Sequence, residues 1–267
     1  MVKEYYHIKT SYCNYYAEIW HQYPTIDKVY FGGKKKCVTY SIYLEEDDTP
    51  NLDGLGYDEN CNTSADLIKS KGTKHMLATS MMFLKHKYKT SISTSIQLKD
   101  SSTITCDGGY EMKLPYYYML YHHQTWYQKQ FKAFPTSSYW ATKLSSDTKV
   151  LKESLLSKPD AQDIFQTVKN IKKRQYLETL YSECLNVKEL VTKLKELDCF
   201  VLRGWAEDFV AKIMPYLSTI DWTITRDFAG IPERSNIISL GSNKPHDMFI
   251  HTGGSTGVGS IDLMKDK

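Results

Sequence analysis

The sequence lacks an apolar run long enough to cross a membrane, and it lacks a strong excess of charge of either sign. Lys and Arg number 34 and Asp and Glu number 31, which leaves a net charge of +3. A transmembrane helix needs about 20 consecutive apolar residues, so we expect no membrane span. Nucleic-acid-binding domains are usually strongly basic, so a nucleic-acid partner is disfavoured despite basic clusters at 34–36, 85–89 and 169–174.

The sequence also lacks the cysteine spacings of a metal or redox motif. Its six cysteines form no C-x-x-C pair, and none lies near a histidine at the spacing of zinc ligands. We therefore expect no metal site. The N-terminal Met-Val-Lys-Glu-Tyr-Tyr-His contains no apolar segment of a secretory signal peptide. We expect synthesis inside the cell and reduced thiols, which usually behave as small buried apolar side chains.

Tyrosine, in contrast, is abundant, with 21 residues against 9 Phe and 5 Trp. Its ring adds apolar area and its hydroxyl adds a polar group, a combination that suits broad contact surfaces. The alternative is that an AT-rich genome favours the tyrosine codons.

The most regular pattern lies between Gly72 and Tyr88, where apolar and small residues recur with the period of an α-helix. The next segment, Ser91–Leu98, alternates between Ser or Gln and Ile, Thr or Leu, which predicts a strand with one buried face. We therefore expect a helix packed on a sheet. The helical face comprises Thr73, Leu77, Ser80, Met81, Leu84 and Tyr88.

Shorter patterns predict further elements before this helix. Residues 37–44 alternate as a strand, and residues 52–68 contain another strand. Ala17–Gln22 is predicted to form a short helix that ends before Pro24.

Beyond residue 100 the patterns change from strands to helices. We expect a strand at 111–121 that Pro115 interrupts, and a short helix at 125–131. Amphipathic patterns over 145–220 predict about four more helices, and Asn186 and Glu189 have the spacing of a capping box.

The final segment, from Arg226, is rich in Gly, Ser, Asn and Pro. Such a segment buries too little apolar surface to order alone. We expect an extended C-terminal arm that orders against a protein partner through Ile237, Ile238 and Leu240; the alternative is a linker without function.

The chain is thus expected to divide into three parts. These are an α/β domain with a mixed sheet (1–140), a helical region (141–224) and the Gly/Ser-rich arm (225–267).

The order strand, helix over 73–88, strand resembles the GNAT family of N-acetyltransferases. In that family, backbone N–H groups and the positive end of a helix dipole hold the pyrophosphate of acetyl-CoA. Lys69-Ser70-Lys71-Gly72-Thr73-Lys74 stands at the corresponding position. Gly72 matches the first glycine of the family loop Gln/Arg-x-x-Gly-x-Gly/Ala, whereas Lys69 and Lys74 replace two other loop residues. The resemblance implies a GNAT-like fold and a coenzyme site at Lys71, Gly72, Thr73 and Lys74.

The segment TWYQKQF, Thr125–Phe131, resembles the Leu-Tyr-x-x-x-Gly-Phe helix of the same family. Tyr127 matches the tyrosine that protonates the departing CoA thiolate, so the resemblance implies Tyr127 as the general acid. Asp53, Asp58 and Glu59 remain alternative candidates for the carboxylate that deprotonates the amine.

Three segments, Gly72–Leu77, Leu98–Ser102 and Thr125–Phe131, also resemble GNAT-like proteins of large nucleocytoplasmic DNA viruses. This resemblance implies that the fold serves as a packing unit in a virus particle. Together with the altered coenzyme loop and the arm, it favours a non-catalytic interaction protein, a minor capsid component without a cofactor that binds other capsid proteins in the virion. An active acetyl-CoA-dependent N-acetyltransferase is the second hypothesis, and a nucleic-acid-binding module is the third.

Overall fold

The structure, a computed structural model, describes residues 2–44, 49–56, 60–62, 69–88, 95–105, 111–195, 205–225 and 235–250. The fold is α+β, and the described residues form a nine-stranded, mostly antiparallel sheet, a separate two-stranded sheet and eight helices. The strands are β1 (Val2–Lys9), β2 (Asn14–Tyr23), β3 (Ile26–Gly32), β4 (Lys36–Tyr43), β5 (Asn51–Leu55), β6 (Ser95–Lys99), β7 (Thr103–Thr105), β8 (Glu111–Lys113), β9 (Phe134–Pro135), β10 (Asp221–Thr225) and β11 (Asn236–Gly241). The helices are α1 (Lys69–Tyr88), α2 (Leu114–His122), α3 (Trp126–Phe131), α4 (Ser138–Leu156), α5 (Ala161–Phe165), α6 (Ile171–Ser182), α7 (Val187–Lys195) and α8 (Ala206–Ile213).

The chain forms two compact units. The first comprises Met1–Lys99, Gln130–Phe134 and Asp221–Lys267, and the second comprises Asp100–Lys129 and Pro135–Ile220.

The large sheet has the strand order β11-β1-β2-β3-β4-β5-β6-β10-β9. Strands β1 to β5 run antiparallel, each paired with the next. Strands β5 and β6 instead pair in parallel, with Asn51 opposite Gln97 and Leu52 opposite Leu98. A parallel pair needs a crossover connection, and α1 lies in the segment that provides it.

Helix α1 packs on one face of the sheet, as its spacing predicts. The Phe83 ring lies 5.1 Å from the Tyr6 ring of β1, and the Ser80 hydroxyl lies 2.5 Å from the Tyr40 hydroxyl of β4. Met76, Leu77 and Phe83 are fully buried. The predicted helix is confirmed, and it begins at Lys69. The predicted strand that follows is confirmed over Ser95–Lys99, and residues 91–94 lie outside the described part.

The opposite face of the sheet is covered in part by the segment that follows β11. Met248 and Phe249 form a buried cluster with Tyr5 and Tyr16, and Leu240 packs against it. The Tyr16 hydroxyl donates a hydrogen bond to Asp247, 3.0 Å away. Part of the predicted arm therefore packs on the sheet of its own unit.

One predicted element is wrong, and a second is confirmed only over its first three residues. Ala17–Gln22 belongs to β2, because its side chains alternate between the two faces and its backbone pairs with β1 and β3. Residues 111–121 form β8 and then α2, with Pro115 in the first turn of the helix. A proline there removes no helical hydrogen bond, so it begins a helix where the sequence indicated a broken strand.

The expectation of reduced thiols is wrong for Cys37 and Cys61, whose sulphurs form a disulphide with the Cα atoms 5.6 Å apart. No spacing motif in the sequence marks this pair, because its two cysteines come together only through the fold. Cys13 and Cys184 are free and buried.

The second unit is mainly helical, as the amphipathic patterns predict. Phe165 of α5 lies edge-on to Trp205 at 5.8 Å and to Tyr181 of α6 at 5.9 Å. Asn186 accepts a hydrogen bond from the Glu189 backbone N–H at 3.0 Å, which confirms the predicted cap at the start of α7.

Candidate functional site

A group of ionisable side chains lies where the last turn of α1 meets β1, β2 and β3. Asp27 of β3 is buried, and its Oδ1 lies 2.7 Å from Nδ1 of His21 on β2. The Tyr88 hydroxyl donates to the other oxygen of Asp27 at 2.7 Å. Burial and this hydrogen bond to a carboxylate raise the pKa of Tyr88.

The second half of the group centres on Glu4 of β1. Its Oε2 accepts hydrogen bonds from Lys87 Nζ and the Tyr6 hydroxyl, each at 2.5 Å. Its Oε1 lies 3.3 Å from Nε2 of His21. Burial alone would raise the pKa of Glu4, but the hydrogen bonds from Lys87 and Tyr6 and the charge of Lys87 lower it to about 2.

A histidine beside a buried carboxylate is a common arrangement for general base catalysis, so this group is the first candidate for chemistry. Here both ring nitrogens of His21 already face carboxylates, and the carboxylate of Glu4 has three partners while that of Asp27 has two. The group is therefore a closed network, which holds the end of α1 on three strands.

A second polar group lies near the start of α1. His75 Nδ1 lies 2.9 Å from the Tyr15 hydroxyl and 3.9 Å from the Cys13 sulphur. Burial lowers the pKa of His75 and raises the pKa of Cys13. Both shifts favour the uncharged forms of the thiol and the imidazole, whereas a cysteine nucleophile acts as a thiolate.

The four residues of the implied coenzyme site lie in the first two turns of α1. Gly72 and Thr73 are buried and Lys74 is half-buried, whereas the Lys71 side chain lies outside the described part. Gly72 is thus a helical residue, and the segment before the helix, 63–68, also lies outside the described part.

Among the alternative carboxylates, Asp53 of β5 binds Lys28 at 2.9 Å and the Ser41 hydroxyl at 2.5 Å. Asp58 and Glu59 lie outside the described part of the chain.

The predicted helix at 125–131 is confirmed as α3, and Tyr127 lies on it with 2% of its surface exposed. Its ring is 4.9 Å from the ring of Trp126. The helix begins with a capping box: the Thr125 hydroxyl accepts from the Gln128 N–H at 3.2 Å, and the Gln128 side chain accepts from the Thr125 N–H at 2.9 Å. Thr125 and Gln128 therefore have a structural role in the TWYQKQF segment.

The predicted partner-binding residues Ile237, Ile238 and Leu240 all lie on β11. This strand pairs with β1, with Ile238 opposite His7 and Ile237 opposite Ile8. It stands at one end of the strand order, and Ile238 is 36% exposed. The structure thus brings these residues together along the edge of the sheet.

Sequence reasoning missed two features on the face of the sheet opposite α1, namely Glu18 of β2 and the aromatic side chains around Lys36. Glu18 is 3% exposed and lies 2.9 Å from Lys36 Nζ. Glu18 and Trp20 share one face because they are two residues apart in a strand, and the sequence of this strand, which is buried on both faces, contains no alternation that could have revealed it.

No group of three or more His, Cys, Asp or Glu side chains able to hold a metal ion occurs within the described ranges. Those ranges also contain no helix that is long and apolar enough to cross a membrane.

The chain was also compared with known proteins. No protein-family model matches it, and neither a curated protein nor a solved structure does so.

Proposed function

We propose that this chain is a non-catalytic interaction protein that binds a protein partner along the free edge of β11. The observation that carries the proposal is the place of β11 at the end of the sheet, with no described strand on its outer side. An unpaired strand edge offers a row of backbone donors and acceptors, to which a segment of another chain can add as a further strand.

The side chains of β11 fit this role. Asn236, Ile238, Ser239 and Gly241 are exposed, and Ile238 offers an apolar contact beside the backbone edge. Lysine or proline, which often protect natural edge strands from pairing, do not occur in Asn236–Gly241.

The ionisable groups support a non-catalytic role. The His21 network is satisfied internally, and Tyr127 is almost fully buried. The particle setting, as a minor capsid component of a large icosahedral DNA virus, rests on the sequence resemblance and is part of the proposal.

Cross-linking and mass spectrometry of purified virus particles test both the β11 binding surface and the particle setting. Lys9 is paired with Asn236 at one end of β11, and Lys244 follows its other end; both are exposed. We expect cross-links from these two lysines to one capsid protein. Absence of the chain from the particle would reject the particle setting.

A matched pair of variants tests the strand edge itself. The double variant Ile238→Lys, Ser239→Lys places positive charge on the edge of β11. We therefore expect it to lose both the cross-links and incorporation into the particle. Tyr139→Lys adds a charge at a residue of α4 that is 63% exposed, and it should leave both unchanged. Equal incorporation of the two variants would reject the edge as the binding surface.

An acetyl-CoA-dependent N-acetyltransferase is the second candidate, and the parallel β5–α1–β6 arrangement favours it. In open α/β sheets, ligands often bind beyond the carboxyl ends of parallel strands, where a helix N-terminus can hold phosphate. Bound ligand must stabilise the native state, so an acetyl-CoA site should raise the melting temperature at millimolar ligand. An unchanged melting temperature would reject this candidate, and a rise that Lys74→Glu reduces would support it.

A further inference from the structure

The ammonium group of Lys36 lies against aromatic rings on the face of the sheet opposite α1. Its Nζ is 3.7 Å from the centre of the Tyr30 ring, 4.4 Å from that of Trp20 and 5.4 Å from that of Phe249. The rings of Trp20 and Tyr30 are 4.9 Å apart and inclined by 64°, so they form two walls of a corner. Phe249 comes from the segment after β11, where its N–H donates to the Gly33 carbonyl at 3.2 Å.

A buried carboxylate completes this corner. Glu18 is 3% exposed, and its Oε2 lies 2.9 Å from Lys36 Nζ. The pairing of β2 with β3 sets Glu18 opposite Tyr30, and Trp20 follows two residues later on the same face. Three aromatic rings and one carboxylate around a cation are the features by which proteins recognise alkylated ammonium groups.

We infer that Trp20, Tyr30, Phe249 and Glu18 form a binding site for a methylated ammonium group, as in trimethyl-lysine, which the chain's own Lys36 fills when no ligand is bound. The site does not depend on the β11 edge or on an acetyl-CoA site.

The cost of burying the Lys36 ammonium, which fills the site, explains why a methylated ammonium is the preferred ligand. Burial lowers the pKa of Lys36 more than the hydrogen bond and the charge of Glu18 raise it, and the charges of Lys3 and Lys244 lower it further. A primary ammonium is strongly hydrated, so it loses much hydration among the rings. Methyl groups reduce this hydration and keep the positive charge.

Lys36 can leave the site without unfolding the chain. Its side chain is 33% exposed, and it begins β4 directly after a turn in which Lys34 is exposed and Lys35 is half-buried. The lysine is tethered, so its effective concentration is high and a free ligand must compete with it. Lys3 also contacts Glu18, at 3.6 Å, and Trp20, at 4.2 Å; it keeps the carboxylate partnered after Lys36 departs.

The test compares Lys36→Ala with Lys34→Ala. Lys34 is exposed in the same turn and is not among the side chains around the corner. A trimethyl-lysine peptide is titrated while the Trp20 indole N–H resonance is followed by NMR. We expect Lys36→Ala to bind at least about tenfold more tightly than the unmodified chain, because the tethered competitor is gone, and Lys34→Ala to bind like the unmodified chain.

Two further titrations distinguish a site that recognises a cation from one that accepts any apolar group. The neutral analogue with a tert-butyl group in place of trimethylammonium should bind Lys36→Ala much more weakly. Lys36→Ala combined with Trp20→Leu should lose binding of the charged peptide. Any of three results would overturn the inference. These are equal affinity of Lys36→Ala and Lys34→Ala for the charged peptide, equal affinity of Lys36→Ala for the charged peptide and its neutral analogue, and binding of the charged peptide that survives Trp20→Leu.

The unmodified chain gives a test that needs no variant. Excess tetramethylammonium should displace Lys36 and shift the Trp20 indole resonance, whereas the same concentration of sodium should not. If tetramethylammonium leaves the Trp20 resonance unmoved, the site does not exist as described.

Discussion

The buried carboxyl of Asp100 predicts a stability that falls as the pH rises. Asp100 is fully buried at the start of the second unit, where its Oδ1 accepts hydrogen bonds from the Ser102 hydroxyl and from the Ser102 N–H at 3.3 Å. Its Oδ2 is buried with no hydrogen-bond partner in the described structure. Burial raises its pKa from 3.8 to about 7, against the opposing effect of the Ser102 hydrogen bonds.

The direction of this pH dependence follows from the protons that the folded and unfolded states bind. Between about pH 4 and pH 7 the folded state holds the Asp100 proton more tightly than the unfolded state. The resulting stabilisation is therefore complete below about pH 4 and is lost as the pH rises through about 7. Each unit of pKa corresponds to about 1.4 kcal/mol, so the loss is at most about 4 kcal/mol.

Asp100→Asn removes the titration and keeps the shape of the side chain. We expect urea unfolding to give similar free energies for the two proteins at pH 4, and a variant that is more stable by up to about 4 kcal/mol at pH 8. Asp221→Asn, at a carboxylate that is 59% exposed, should change little at either pH. A constant difference between Asp100→Asn and the unmodified chain from pH 4 to pH 8 would refute the reasoning.

Three further substitutions or treatments have defined outcomes. Reduction of the Cys37–Cys61 disulphide, which spans 24 residues, should lower the free energy of unfolding by about 3 kcal/mol, measured in urea with and without a reducing agent. Gly33→Ala should cost about 1–3 kcal/mol, because a Cβ atom there would lie 2.5 Å from the carbonyl carbon of Asn62. Phe165→Ala empties a fully buried site and should cost about 3–5 kcal/mol in the same assay.

Each of these has a matched control. Cys184→Ser changes a free cysteine and should leave the effect of the reducing agent intact. Lys34→Ala alters the same turn as Gly33 at an exposed residue, and Leu156→Ala alters a side chain that is 62% exposed; each should cost less than about 0.5 kcal/mol. Effects as large as those of the test variants would contradict the packing described for these sites.

Local sequence patterns predicted three features of the fold. Helix α1 and strand β6 followed from the change of period between Tyr88 and Ser91, and the cap at Asn186 followed from the position of Glu189. The wrong helix at Ala17–Gln22 arose because β2 is covered on both faces, so its buried side chains do not alternate with exposed ones. For such strands, periodicity alone does not distinguish a helix from a strand.

The candidate sites depend on contacts between residues far apart in the sequence. Glu4 meets Lys87, and Lys36 meets Phe249, only because strands and helix bring them together. A single sequence contains no local signal for such pairs. In the sequence Lys36 is only one member of a basic cluster at 34–36, whereas in the structure its ammonium group lies against the Trp20 and Tyr30 rings.

The pairing of β1 with β11 has a consequence for how the protein is made. Lys9 emerges from the ribosome long before its partner Asn236, because most of the chain described here lies between them. During this interval β1 has β2 on one side and no strand on its other side, and exposed edges of this kind favour aggregation. The sheet can therefore be completed only after β11 has left the ribosome. A nascent chain that stalls before residue 236 would leave the edge of β1 open to pairing with strands of other chains.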